Sequence, residues 1–308
     1  MKKLFFTLMT CVLALGIFVG CNDSGSSQSQ SEARTIEEIQ ASGKIIIGVF
    51  SDKKPFGYVD ANGEYQGYDV YFGNRIAKDL GVEVEYVPVE AASRVEYLVS
   101  NKVDIILANF TVTEERKEKV DFTLPYMKVA LGIVSNEDNL ITDVSQLNGK
   151  TLIVSKGTTA ETYFTENHPE VNLLKFDQYS EAYSALLDGR GDALSTDNTE
   201  VLAWALENEG FSVGIDSLGN IDTIAAAVQK GNEELLSWLN NEIVQLGEEN
   251  FFHAAYEETL APVYGEDANA DSIVIEGGQL QLYRYIMTKQ ESLNYLGDSL
   301  LIWGKSLN

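Results

Sequence analysis

Residues 101–119 read NKVDIILANFTVTEERKEK. The stretch leaves a polar helix end at Asn101 and Lys102, runs through the apolar residues 103–108, and stops at Asn109-Phe110-Thr111 before a run of charges. An unbroken apolar run bounded by polar residues reads as a strand buried on both faces, the mark of a parallel sheet covered by helices. The threonines that follow are helix-cap residues. Thr111 or Thr113 precedes EERKEK, and Thr111 with Glu114 has capping-box spacing. Arg116 then falls in the first turns of the helix, close to the carboxyl end of the strand. Free N–H groups at a helix start, a threonine hydroxyl and a guanidinium fork together suit a carboxylate. A charge run on a helix also marks an ordinary solvated face, and this segment alone leaves both readings open.

Working outward, KIIIGVF from Lys44 is a β-branched strand. YDVYFGNRIAKDLG places Gly73, Ile76, Ala77 and Leu80 at helical spacing, with Asp69 as a candidate N-cap and Gly81 just past the end. VEVEYV alternates as a half-exposed strand does, and SRVEYLVSN returns to helix. This βαβαβ order predicts a mostly parallel sheet. After Gly149 the pattern begins again, with TLIVS, GTTAETYF, VNLLKF, EAYSALLDGRG and DALSTDN. NKVDIILANFT and GRGDALSTDNT echo one another: each passes from a polar helix end through an aspartate into an apolar strand that stops at small polar residues. The echo predicts two similar α/β lobes, with the chain crossing between them near residues 126–134 and 222–229. Ligands of such sheets bind beyond the carboxyl ends of the strands, and two such ends facing each other make a cleft.

Composition narrows the function classes. The 308 residues carry a formal net charge of −25, which opposes nucleic-acid binding because that depends on basic surface. Both cysteines, Cys11 and Cys21, lie near the N-terminus, so the body has neither a disulfide nor a thiolate nucleophile. The two histidines, His168 and His253, are far apart and in no ligand-spaced cluster, so no metal site is expected. MKKLFFTLMTCVLALGIFVGC has the charged start and apolar run of a secretion signal, residues 1–20. A retained transmembrane anchor is the competing reading. Cys21 closes the run before NDSGSSQSQSEAR, and the segment resembles a bacterial lipoprotein signal, with Phe18 where leucine is usual. The resemblance implies lipidation of Cys21, with residues 21–43 as a flexible tether.

In the second half, SKGTTAE is a glycine turn into a helix. It either brings the N–H and hydroxyl of Thr159, beside Thr158, to the carboxylate site or forms a plain cap. STDNTE puts Asp197 after a strand, as a helix N-cap or as a carboxylate facing the cleft. An arginine and an aspartate on opposite lobes match an α-amino acid zwitterion, and closure shields both pairs from water.

KPFGYVDANGEYQGYDV, NKVDIILANFTVTEERKEKVDFTLPYM, GTTAE and GDALSTDN occur in that order. On these motifs, residues 44–278 resemble the extracytoplasmic amino-acid-binding proteins of ABC importers. The resemblance implies a two-lobed type II periplasmic-binding-protein fold, each lobe a mostly parallel sheet flanked by helices, joined by two hinge strands. Lobe 1 would comprise residues 44–131 and 226–278, and lobe 2 residues 132–225, with 279–308 as an extension of unassigned role. By the same resemblance Arg116 clamps the ligand carboxylate, Thr159 assists it, Thr111 contacts the ligand and Asp197 holds its ammonium. Asn109, Thr158 and Phe56 complete the pocket. The resemblance further implies an extracytoplasmic, lipid-anchored monomer that needs no cofactor and delivers its ligand to an ABC permease.

Two departures bear on specificity. Many relatives place an aromatic just before the PF of the first loop, where this chain has Lys53 and Lys54. Arg94, in EAASRVEYL, stands at a position often apolar in binders of basic amino acids. Two extra cations disfavour lysine, arginine and histidine by like-charge repulsion. EAASRVEYL, ANFTVTEERK and PYMKVALGIVS are similar to the cysteine-binding branch, which implies cysteine or another small polar amino acid, with an acidic one as the alternative. The same fold also resembles periplasmic cyclohexadienyl dehydratases, but no catalytic cluster of required geometry is present in the sequence. A surface adhesin is a third class that composition leaves open.

Overall fold

The computed structural model describes residues 33–279. The expected leader, Cys21, most of the tether and the extension beyond Gln279 lie outside the described residues. The folded body begins earlier than the expected boundary at residue 44. Thr35 and Glu38 form a reciprocal capping box that opens helix α1 (Ile36–Ser42), and Gly43 ends it in the left-handed conformation. Ile39 is fully buried and anchors α1 to the lobe 1 core, so residues 35–42 are part of the body and not of a tether.

Strand β1 (Lys44–Val49) leads into a small antiparallel sheet of β2 (Asp52–Lys53), β3 (Gly57–Val59) and β4 (Tyr65–Gln66). Helix α2 (Tyr68–Leu80) follows; it buries Phe72, Ile76, Ala77 and Leu80 and is closed by Gly81. Its N-cap is Gly67, and Asp69 lies inside the first turn, fully buried. Strand β5 (Glu83–Pro88), helix α3 (Arg94–Val99) and strand β6 (Ile105–Ile106) complete the first βαβαβ run. The ladder of β6 extends one residue to each side, since Asp104 and Leu107 donate to Ile46 and Gly48 of β1.

The expected capping box of Thr111 with Glu114 is not formed. Thr111 stays extended in an antiparallel bridge with Ile224, and Thr113 caps α4 (Glu114–Lys117) by accepting from the Arg116 N–H at 3.2 Å. The hinge strand opposite thus draws out the backbone by two more residues before the helix begins.

Strand β7 (Val120–Asn136) enters the second lobe, which contains β8 (Thr151–Ser155), α5 (Thr159–Asn167), β9 (Asn172–Phe176), α6 (Tyr179–Leu187), β10 (Ala193–Asp197) and α7 (Asn198–Glu207). Strand β11 (Phe211–Gln229) returns to the first lobe, followed by α8 (Glu233–Glu248), α9 (Phe251–Thr259), α10 (Ala261–Tyr264) and α11 (Ala270–Ile273). The strand order β5-β1-β6-β11-β7-β10-β8-β9 explains the sequence echo. On each side a central strand, β1 or β8, pairs in parallel with both neighbours; β6 and β10 then pair antiparallel with β11 and β7. The two long strands pair with each other across several register shifts between Val213 and Ala227, and they are the only strands among the described residues that serve both lobes.

Candidate functional site

The two echoed segments end facing each other. Asn109, after β6, donates its side-chain amide to Asp197 Oδ2 at the end of β10. Asn109 holds φ at +43°, a left-handed backbone uncommon for a residue with a side chain. Asp69 stabilises it there by accepting from the Asn109 N–H at 2.8 Å with Oδ2, while Oδ1 accepts from the Tyr126 hydroxyl at 2.6 Å. Burial pushes the Asp69 carboxyl up to about 6 against the lowering effect of these bonds. The Asn109 side-chain oxygen is buried with no partner. Such an acceptor costs free energy unless a donor arrives, and Asn109 lines the small cavity between the lobes.

That cavity is narrow and is lined by Arg94, Asn109 and Thr111 with Arg116 from the first lobe, and by Thr158, Thr159, Tyr179 and Asp197 from the second. Seven of the nine candidate ligand residues therefore converge on one space. Arg116 lies over the Phe110 ring at 4.8 Å and donates to the carbonyls of Thr111 at 2.6 Å and Gly157 at 2.9 Å. Arg94 also lies over Phe110, 4.3 Å from its centroid, and donates to Ala91, Ala108 and Gly157 carbonyls. Burial lowers the affinity of both guanidiniums for their protons; for Arg94, pulled down to about 9, the neighbouring Arg116 adds to the effect. An arginine keeps its charge in spite of this, so one buried and one half-buried cation facing a cavity call for an anion.

Thr158 is the N-cap of α5: it accepts from Glu161 N–H at 3.2 Å and donates to Ser155 O at 2.7 Å, which occupies its hydroxyl locally. Thr159, the first helical residue, lines the cavity, and the helix start behind it adds positive partial charge. Asp197 stands at the N-cap position of α7 but makes no cap bond. Its carboxylate turns instead into the cleft.

The remaining two candidates fall outside the cavity lining. Phe56, expected in the pocket, is instead a fully buried residue of the first lobe's core, in one cluster with Val49, Tyr68 and Val70. Its apolar ring gains more from that core than from a polar cleft. Lys53 is 1% exposed and reaches the second lobe, where its ammonium binds Asp197 Oδ2 at 2.9 Å, Glu200 Oε2 at 3.0 Å and the Tyr179 hydroxyl at 3.2 Å. Burial alone pulls the lysine down, but Asp197 and Glu200 outweigh it and hold Lys53 well above its ordinary value. The repulsion expected of a free cation is therefore largely neutralised by partners of its own.

Tyr179, Glu200 and Asp69 were missed at the level of sequence. For Glu200 a signal existed: it follows Asp197 by three residues at a helix start, which puts both carboxylates on one face. Nothing local distinguished Tyr179 from a core tyrosine.

Two lobes joined by paired hinge strands, with charged groups of both signs meeting at the carboxyl ends of their sheets, define a solute receptor of the type II periplasmic-binding-protein fold. Residues 45–260 match the family model of bacterial extracellular solute-binding proteins, family 3, and the chain belongs to that family. It is similar to a solute receptor for L-cysteine of Neisseria gonorrhoeae, at 56% identity and a TM-score of 0.78, covering 79% of this chain and 100% of the other. A cysteine-binding protein of Campylobacter jejuni shares 55% identity with a TM-score of 0.77, over 78% of this chain and 98% of its own. The glutamine-binding protein of an ABC transporter in Bacillus subtilis is 30% identical over 268 residues, which span 84% of this chain and 98% of the relative.

Proposed function

We propose that this protein is an extracytoplasmic receptor for a small polar L-amino acid, cysteine, which it delivers to the permease of an ABC importer by closing its cleft. The observation that carries this is the pair of receptors named for cysteine that match at 55–56% identity over essentially their whole length. The site chemistry agrees with an amino acid. Arg116, Arg94 and the start of α5 form the carboxylate end, with Thr159 and Thr111 beside them. Asp197 and the unpartnered oxygen of Asn109 form the ammonium end. In this reading the lobes divide as 44–131 with 226–278 and 132–225, residues 35–43 joining lobe 1.

The protein acts without a cofactor and catalyses no reaction, since the charged groups are arranged to hold a zwitterion. The mature chain starts at Cys21, anchored by a lipid on the extracytoplasmic side of the cell membrane, at the outer face or in the periplasm, and works as a monomer.

Mass spectrometry of what co-purifies, followed by calorimetry with the twenty amino acids, tests the ligand. Cysteine is expected to bind best, and preference for an acidic amino acid or glutamine would replace it. Turnover of prephenate or arogenate would overturn the non-enzymatic reading. Cys21→Ser should release the protein from membranes; retention with an intact leader would favour a transmembrane anchor.

A further inference from the structure

Asp52, Lys53 and Lys54 follow β1 in the first lobe, and all three reach the second. Asp52 accepts from the Ser180 N–H at 3.0 Å, and Lys54 pairs with Glu207 at the exposed rim, where an ion pair adds little. Lys53 differs in being buried. Its ammonium lies 4.5 Å from the Tyr179 ring centroid and 5.4 Å from that of Phe50, besides its bonds to Asp197 and Glu200. An ammonium on two carboxylates, beside aromatic faces, in a closed cleft is the environment that the side chain of a basic ligand would seek.

The acidic pair has capacity beyond what Lys53 uses. Glu200 Oε2 also accepts from Thr196 at 2.8 Å, whereas buried Oε1 has only the nearby Tyr183 hydroxyl, without a hydrogen bond of ordinary geometry. Glu200 lines a second cavity of about 70 Å³ together with Tyr183, whose buried hydroxyl is likewise without a hydrogen bond of ordinary geometry. Burial pushes Glu200 up to about 7 even with Lys53 opposing it, so a cation at this position favours the charged carboxylate.

We propose that Lys53 is a built-in stand-in for the side chain of a basic ligand: it occupies the Asp197–Glu200 pair and restricts the site to short uncharged side chains. Without it the same carboxylates, with the space beside Glu200, accept a diamino acid, whose α-ammonium goes to Asp197 and whose second ammonium goes to Glu200. This rests on the amino-acid reading above. A plain cross-cleft latch at Lys53 makes a different claim, because its loss weakens every ligand alike.

Calorimetry of wild type, Lys53→Ala and Lys53→Gln with cysteine, 2,4-diaminobutyrate, ornithine and lysine separates these. Relieving like-charge repulsion should shift the affinity ratio of at least one diamino acid to cysteine by roughly 30-fold or more in its favour. Adding Glu200→Gln to either variant should reverse the gain. Lys53→Gln keeps most of the side-chain volume and serves if Lys53→Ala does not fold. Folded variants that keep the wild-type ratio, or lose all ligands equally, overturn the inference while leaving cysteine recognition by wild type intact. A wild type that binds no amino acid overturns the functional reading itself and the inference with it.

Discussion

Arg94 and Arg116 donate to one and the same acceptor, the carbonyl oxygen of Gly157, at 3.2 and 2.9 Å. The arginines belong to the first lobe and the glycine to the turn between β8 and α5 in the second. The contact therefore ties closure of the cleft to the groups that meet a carboxylate, and a ligand bound there bridges the same two sides.

Arg116→Ala removes a charged fork from a closed, dry site and leaves the ligand carboxylate short of a partner, which costs about 2–5 kcal/mol. At about 1.4 kcal/mol per factor of ten, affinity should fall roughly 30-fold to several thousand-fold. Arg116→Lys should recover only part, since an ammonium cannot reproduce the planar fork. Lys117 pairs with Glu114 and Lys119 with Glu115 on the exposed helix face, so alanine at either should change affinity little. Calorimetry on folded variants decides it, and an unchanged affinity for Arg116→Ala would leave this arginine a tie between the lobes with no part in holding the carboxylate.

Gly157→Ala should impair closure. Its φ is +73°, and a Cβ there would stand 2.5 Å from Ala92 Cα in the first lobe. A backbone neighbour cannot rotate away, so the lobes must stay apart, while the left-handed conformation adds about 1 kcal/mol of strain. Small-angle scattering at saturating ligand should show wild type contracting and the variant remaining expanded, with affinity down at least ~10-fold. Equal contraction of the two proteins would count against this role.

Asp69 makes stability depend on pH. Its folded-state value of about 6 exceeds the ordinary 3.8, so the folded protein holds this proton longer than the unfolded chain does. The contribution is present in full below pH 3.8 and is lost as pH rises through about 6. A difference of ~2 units corresponds to an effect on the order of 3 kcal/mol. Asp69→Asn should flatten the stability-against-pH curve between about pH 4 and 6 in denaturant titrations. A variant that keeps the wild-type slope assigns the dependence to other groups.

His253 works at higher pH. Its Nδ1 meets Glu276 at 2.6 Å and its Nε2 meets Asp271 at 3.2 Å, which ties α9 to the last described residues. Burial lowers its affinity for the proton, but the two carboxylates outweigh this and leave the value above the usual 6.5. Stability from the charged imidazole is thus complete below 6.5 and is lost as pH rises through the folded-state value. Thermal unfolding of wild type and His253→Gln should differ most below pH 6.5 and converge in alkaline buffer. A constant difference would mean the histidine acts without its charge.

Much of this protein is legible in the chain alone. The apolar run at 103–108, the alternation of VEVEYV and the helical spacing of Gly73, Ile76, Ala77 and Leu80 are set by periods of two and 3.6 residues, which act over a few neighbours. The echo of NKVDIILANFT in GRGDALSTDNT likewise places Asn109 and Asp197 at equivalent strand ends, and they do meet. Local spacing misassigned the caps, because Thr111 is held by Ile224 and Asp69 by Asn109 and Tyr126, partners remote in sequence. Tertiary structure alone decided that Lys53 spends its charge on Asp197 and Glu200, that Phe56 belongs to the core, and that both arginines turn to Gly157. Whether a buried charge is free or paired depends on the balance between desolvation and Coulomb attraction at a few ångströms. That separation exists only once two lobes, each folded by its own local pattern, have closed on one another.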